Sequence, residues 1–138
     1  MRALLAIPLN GILLLLYNAM ILASDPLSEH YLPDATVASF NIQSSGATLT
    51  LTWNIIFVLC GICILFVEIV KSTRSTEQAL LDHILSLGVF VVFLIELLIW
   101  QEMGSATFLI LTLLALVDVI AGFTVSLATA RRDISIEG

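Results

Sequence analysis

Residues 106–130, ATFLILTLLALVDVIAGFTVSLATA, decide how this chain is read. An α-helix rises 1.5 Å per residue, so about 25 residues are enough to cross a hydrocarbon core roughly 30 Å thick. Asp118 sits at the middle of the run, and Arg131 and Arg132 follow its end. A charge at that depth costs at least about 2.5 kcal/mol, so Asp118 needs a partner, a proton or a water-lined cavity. No lysine or arginine lies deep in any apolar run. Asp118 is therefore expected to face other helices in its neutral form.

Three further apolar runs precede it, over residues 3–23, 48–70 and 79–100. The chain is 59% hydrophobic and 12% charged, against about 25% charged in soluble domains, which places it in a bilayer. The fold class expected is all-α: one domain, an integral membrane bundle of four antiparallel transmembrane helices. The first run has Pro8, Asn10 and Gly11 in its first half. It is longer than the usual 7–15-residue core of a signal peptide, and Ile21-Leu22-Ala23 puts a bulky residue where a cleavage site needs a small one. It is read as an uncleaved span, in which Asn10 or Asn18 can hydrogen-bond across helices. Ser75 with Gln78 reads as a capping box opening the third helix, and Ser105 as the N-cap of the fourth.

Residues 24–47 form the long polar loop, with Pro26 and Pro33 arguing against a continuous helix. A short strand over Thr36 to Ile42 fits this stretch, and so does a loop lying on the membrane through Tyr31 and Phe40. All of the Lys and Arg residues, Arg2, Lys71, Arg74, Arg131 and Arg132, fall on the opposite side. By the positive-inside tendency both termini are expected in the cytoplasm, and the setting is read as a bacterial inner membrane.

Helical spacing gathers the polar residues of each span. Asn54, Phe57, Gly61, Ile64 and Glu68 share one face of the second span. Asp82, Ser86, Val89, Phe93, Glu96 and Trp100 share one in the third, and Ala115, Asp118, Gly122, Ser126 and Thr129 one in the fourth. Gly61, Ala115, Gly122 and Ser126 are the helix-packing candidates, because small residues let backbones approach. Folding the second helix back on the third puts Glu68 level with Asp82, with His83 next to it. That trio has the groups of a proton-exchange or hard-cation site, but reads first as ordinary helix-end charges reaching the headgroups, with Lys71 nearby. Folding the third helix on the fourth puts Asp118 level with Gly88, and Glu96 about 12 Å nearer the outer surface.

Cys60-Gly61-Ile62-Cys63 has the spacing of a redox pair. Membrane disulfide-oxidising proteins carry a second pair in a loop, and this chain has two cysteines in all. Both are expected to be packing residues at mid-bilayer. No phosphate-binding loop, H-E-x-x-H or nucleophile elbow is present, and no basic domain exists to hold nucleic acid. His30 and His83 fall on opposite sides of the expected topology, which argues against a shared metal. No cofactor is implied. The function expected is that of a non-enzymatic accessory or scaffolding subunit, packed in the lipid bilayer against a membrane-protein partner or as a homo-oligomer. The alternative is a small proton- or cation-coupled transporter using Asp118 and Glu96. A thiol enzyme on Cys60 and Cys63 is the weakest of the three.

Overall fold

A computed structural model describes residues 8–25, 32–72 and 77–134, with the side chains of 77–80, 126 and 129–134 outside that description. Arg2, His30, Tyr31, Arg74 and the proposed Ser75–Gln78 capping box therefore lie outside the described residues, as do the side chains of Ser126, Thr129, Arg131 and Arg132. The chain is mostly helical, with a small sheet. In order the elements are α1 (Leu9–Ala23), β1 (Thr36–Ile42), β2 (Ala47–Thr52), α2 (Trp53–Ser72), α3 (Glu77–Ile99) and α4 (Ala106–Ile134). Single 3-10 turns at Leu32–Asp34 and Gln101–Met103 precede β1 and α4. Three helices, α2, α3 and α4, are long and apolar enough to cross a membrane. The first, α1, is apolar but has 15 described residues.

The helices alternate in direction. Near one end, Leu9 of α1 meets Glu68 of α2, and Asn10 meets Asp118 of α4. Near the other, Tyr17 meets Asn54 and Ser105, while Asn18 meets Glu96 of α3. α4 packs mainly on α2 and α3, and α1 closes the remaining side with fewer contacts. The core is one cluster built on Leu13, Leu14, Tyr17, Phe93, Phe108 and Leu111. Tyr17 anchors it, edge-on to Phe57 with ring centroids 5.1 Å apart and tilted on Phe108 at 5.4 Å. Offset and edge-to-face pairs of this kind bring the positive ring edge to the negative ring face. Large apolar side chains on the outward faces, such as Leu15, Phe66, Leu98, Ile99 and Leu127, stay exposed. That is the distribution expected where lipid is the solvent.

The expectation of an all-α chain is corrected here. β1 and β2 form an antiparallel ribbon, in the register Phe40 with Leu49 and Ile42 with Ala47. The strand foreseen at Thr36 to Ile42 is present, but its partner comes from the start of the run assigned to the second span, so α2 begins at Trp53 rather than residue 48. The reason is periodicity. Thr48-Leu49-Thr50-Leu51-Thr52 alternates with period two and is rich in β-branched threonine, which suits a strand. Gly46 makes the turn possible, with φ of 69°, a left-handed conformation that glycine adopts without penalty. Its N–H donates to Ile42 O at 2.8 Å. At the base of the ribbon, Asn54 donates to Asp34 Oδ1 at 2.8 Å.

The small-residue positions behave as helix contacts where they are described. Gly61, Ala115 and Gly122 are buried. A Cβ on Gly61 would stand 2.9 Å from Leu114 Cδ1 and 3.1 Å from Leu111 Cδ2. The packing role expected for Cys60 and Cys63 is not met, since both are exposed and free. At 100° per residue they fall about 100° or more around the helix from the inward stripe through Gly61.

These contacts separate two glycines. Gly61→Val is expected to cost about 1–3 kcal/mol in reversible unfolding from mixed micelles, because a branched side chain cannot be absorbed between two leucines. Gly88 has nothing within 4 Å of a built Cβ. Gly88→Ala should be neutral or stabilising by up to about 1 kcal/mol. Equal effects at the two positions would contradict this packing.

Candidate functional site

Glu68, Lys71, Asp82, His83, Ser86 and Asp118 converge between α2, α3 and α4, at the end of the bundle away from the ribbon. Helix spacing explains the convergence. Glu68 and Lys71 are one turn apart on α2, and His83 and Ser86 one turn apart on α3. Lys71 Nζ stands 3.2 Å from Glu68 Oε2 and 3.4 Å from Asp82 Oδ2, so one ammonium bridges two helices. The level expected for Glu68 and Asp82 is thus the one the structure adopts. Glu68 is buried, and its other oxygen, Oε1, accepts the Leu9 backbone N–H at 2.8 Å. Pro8, at the head of α1, offers no side-chain cap. A helix leaves its first N–H groups without internal partners, and a carboxylate there also favours the positive end of the helix dipole. Glu68 supplies that cap from a neighbouring helix.

Asp118 is 6% exposed and faces the interior, as expected. Asn10 Nδ2 donates to Asp118 Oδ2 at 3.1 Å, and Ser86 lies within hydrogen-bonding reach of the same carboxyl. Asp118 thus joins the Glu68–Asp82–His83 group, which the sequence presented as a separate site. The signal was available: Asp82 and Ser86 are a single turn apart on α3, and the register of the third and fourth helices already placed Asp118 near residue 88.

His83 is buried, with its ring seated over Gly122. A Cβ at position 122 would collide with His83 Nδ1, so the glycine is what admits the imidazole. Phe123 flanks the ring with centroids 6.3 Å apart. Among the described residues, His83 Nε2 and Asp82 Oδ1 are buried with no hydrogen-bond partner.

Glu96 belongs elsewhere. Asn18 Nδ2 donates to both of its oxygens, at 2.9 and 3.0 Å, toward the ribbon end of the bundle. Asp118 and Glu96 therefore engage different amides of α1 and are not brought together. Both amides weighed as cross-helix donors, Asn10 and Asn18, act as such. Tyr17 was not singled out by sequence. Its hydroxyl meets Asn54 Oδ1 at 3.4 Å and Ser105 Oγ at 3.2 Å, and Ser105 caps α4 by accepting the Phe108 N–H at 3.1 Å.

Among the described residues no three His, Cys, Asp or Glu side chains are placed to hold a metal ion. What the arrangement can do chemically is join helices and hold exchangeable protons.

A double-mutant cycle of Asn18→Leu with Glu96→Leu should return a coupling of about 0.6–1.7 kcal/mol, the range for hydrogen bonds between membrane helices. The same cycle of Asn18→Leu with Asp118→Leu should return about zero, since the two share no contact. Comparable couplings in both cycles would mean that the acids form one network. No family model, curated protein or solved structure matches the chain, so its function has to be read from these contacts.

Proposed function

We propose that this protein is a non-enzymatic four-span membrane subunit that presents its outer ribbon to a membrane-protein partner or to a second copy of itself. The observation that carries this reading is the apolar face of the ribbon. Cross-strand partners point to the same side of a sheet. Ala38, Phe40, Ile42, Ala47, Leu49 and Leu51 therefore share one face, and Ser39, Asn41, Thr48 and Thr50 the other. Phe40 and Leu49, directly opposite each other, are 54% and 51% exposed, and Ile42 is exposed beside them. Residues 36–53 contain no charged side chain. An isolated two-stranded ribbon is marginal in water and needs its apolar face covered. The rest of the described chain does not cover it, and contiguous apolar surface of this kind marks an interaction site.

The hydrogen bonds of the intramembrane acids fit the same reading, since Asp118 and Glu68, both buried, and the half-buried Glu96 each bond a group on α1 and so tie the bundle together. The alternative of a transporter on Asp118 and Glu96 draws less support, because those two acids occupy separate contacts. Lipid forms the rest of the surroundings. The positive-inside tendency supports an orientation with both termini in the cytoplasm and the ribbon on the outer side, and we propose a bacterial inner membrane as the setting.

Phe40→Ser combined with Leu49→Ser should leave bundle stability within about 0.5 kcal/mol, as for surface changes, while reducing the mass of the complex released from native membranes in mild detergent. An unchanged complex would remove the ribbon from the interface. Orientation is read separately in a Cys60→Ala, Cys63→Ala background. Ser44→Cys should react with an impermeant thiol reagent on intact cells, and Ser72→Cys only after permeabilisation; the reverse pattern overturns the topology.

A further inference from the structure

We propose that the small cavity lined by Glu68, Lys71, Asp82, His83, Ser86 and Asp118 is a binding site for a single water molecule, held by His83 Nε2 and linking the imidazole to the neighbouring carboxyl groups. This inference stands independently of the subunit reading. Three observations carry it. The cavity has room for the centre of one water, about 10 Å3, and every residue that lines it is polar or charged. His83 lines it and is 6% exposed, yet Nε2 has no partner among the described residues. Asp82 Oδ1, on the preceding residue, is also buried and without one among the described residues. Buried polar atoms are almost always hydrogen-bonded to protein or to ordered water, and an internal water with two to four polar neighbours is the usual remedy.

The chemistry of the lining selects water over an ion. Lys71 already stands within 3.4 Å of both Glu68 and Asp82, so a further cation would be repelled. No three ligating side chains are placed for a metal among the described residues. The carboxyl groups of Glu68, Asp82 and Asp118 repel an anion. A neutral molecule that both donates and accepts fits all of these neighbours. The groups facing His83 are Glu68 and Lys71 from α2, Asp82 and Ser86 from α3, and Asp118 and Phe123 from α4. The ring sits against Gly122 of α4, in the space that a side chain there would occupy. A water here joins His83 to the carboxyls in one hydrogen-bonded chain. Protons can exchange along it, the water accepting on one side as it donates on the other.

The test uses the full chain, uniformly 15N-labelled in bilayers, with His30→Gln leaving His83 as the sole histidine. Water-edited solid-state NMR reads how fast each nitrogen receives magnetisation from water. The His83 ring should do so about tenfold faster than the buried Phe108 amide, approaching the exposed Ser44 amide. A His83 ring no faster than Phe108 overturns the proposal. Ser86→Val fills the cavity and should abolish the fast transfer at His83 while leaving Ser44 unchanged. Fast transfer that survives Ser86→Val places the water elsewhere and also overturns it. If Ser86→Val fails to fold, Ser86→Ala adds space and should retain the transfer; its loss would mean that the serine hydroxyl, rather than His83, holds the water.

Discussion

The hydrogen bond from Asn10 to Asp118 is the contact on which the rest of the arrangement depends. Hydrocarbon offers no alternative donor to a buried carboxyl group, so a side chain on another helix has to supply one. Asn10 does so from α1, and the same helix brings its Leu9 N–H to Glu68 and its Asn18 amide to Glu96. α1 has fewer packing contacts than the other helices. Its position is specified by direction-dependent bonds to acids on three different helices. Apolar packing in lipid discriminates poorly between helix rotations, because lipid tails are as apolar as leucine. Polar pairs remove that ambiguity.

The two ends of the bundle are built differently. At the ribbon end Tyr17, Asn54, Ser105 and Asp34 form a chain of neutral and charged partners around the N-termini of α2 and α4. At the other end the partners are ionisable: Lys71 between Glu68 and Asp82, with His83 and Asp118 beside them. Gly122 is the enabling residue there. Any side chain there would collide with the imidazole, so the glycine is what lets His83 stand beside the acids and Lys71.

Much of this was legible in the sequence because helical spacing is robust over long apolar runs. The inward faces through Glu68, Phe93 and Asp118 follow from steps of three and four residues. The contact level of Glu68 with Asp82 follows from a short connection. The ribbon was half legible: Thr36 to Ile42 carried a strand signal, whereas Thr48 to Thr52 was absorbed into a hydropathy count that ignores period two. The cysteines misled for a related reason, since depth along a helix says nothing about rotation around it. The joining of Asp118 to His83 required two hairpin registers to be combined, and small errors in each obscured it. Tyr17 gave no periodic signal as a polar anchor, because its ring belongs to the apolar stripe and only its hydroxyl reaches Asn54.

The dependence of α1 on later helices has a consequence for biogenesis. Asn10 and Asp118 are separated by 108 positions in the chain, and Asn18 and Glu96 by 78. At about 5–20 residues per second, roughly 5–20 s of synthesis separate Asn10 from its carboxyl partner. Within that interval Glu68 is made first and Glu96 next, so the first turn and Asn18 of α1 gain their partners before Asn10 does. α1 therefore leaves the ribosome ahead of every helix that fixes it, and the last of its three bonds closes only when α4 has been made.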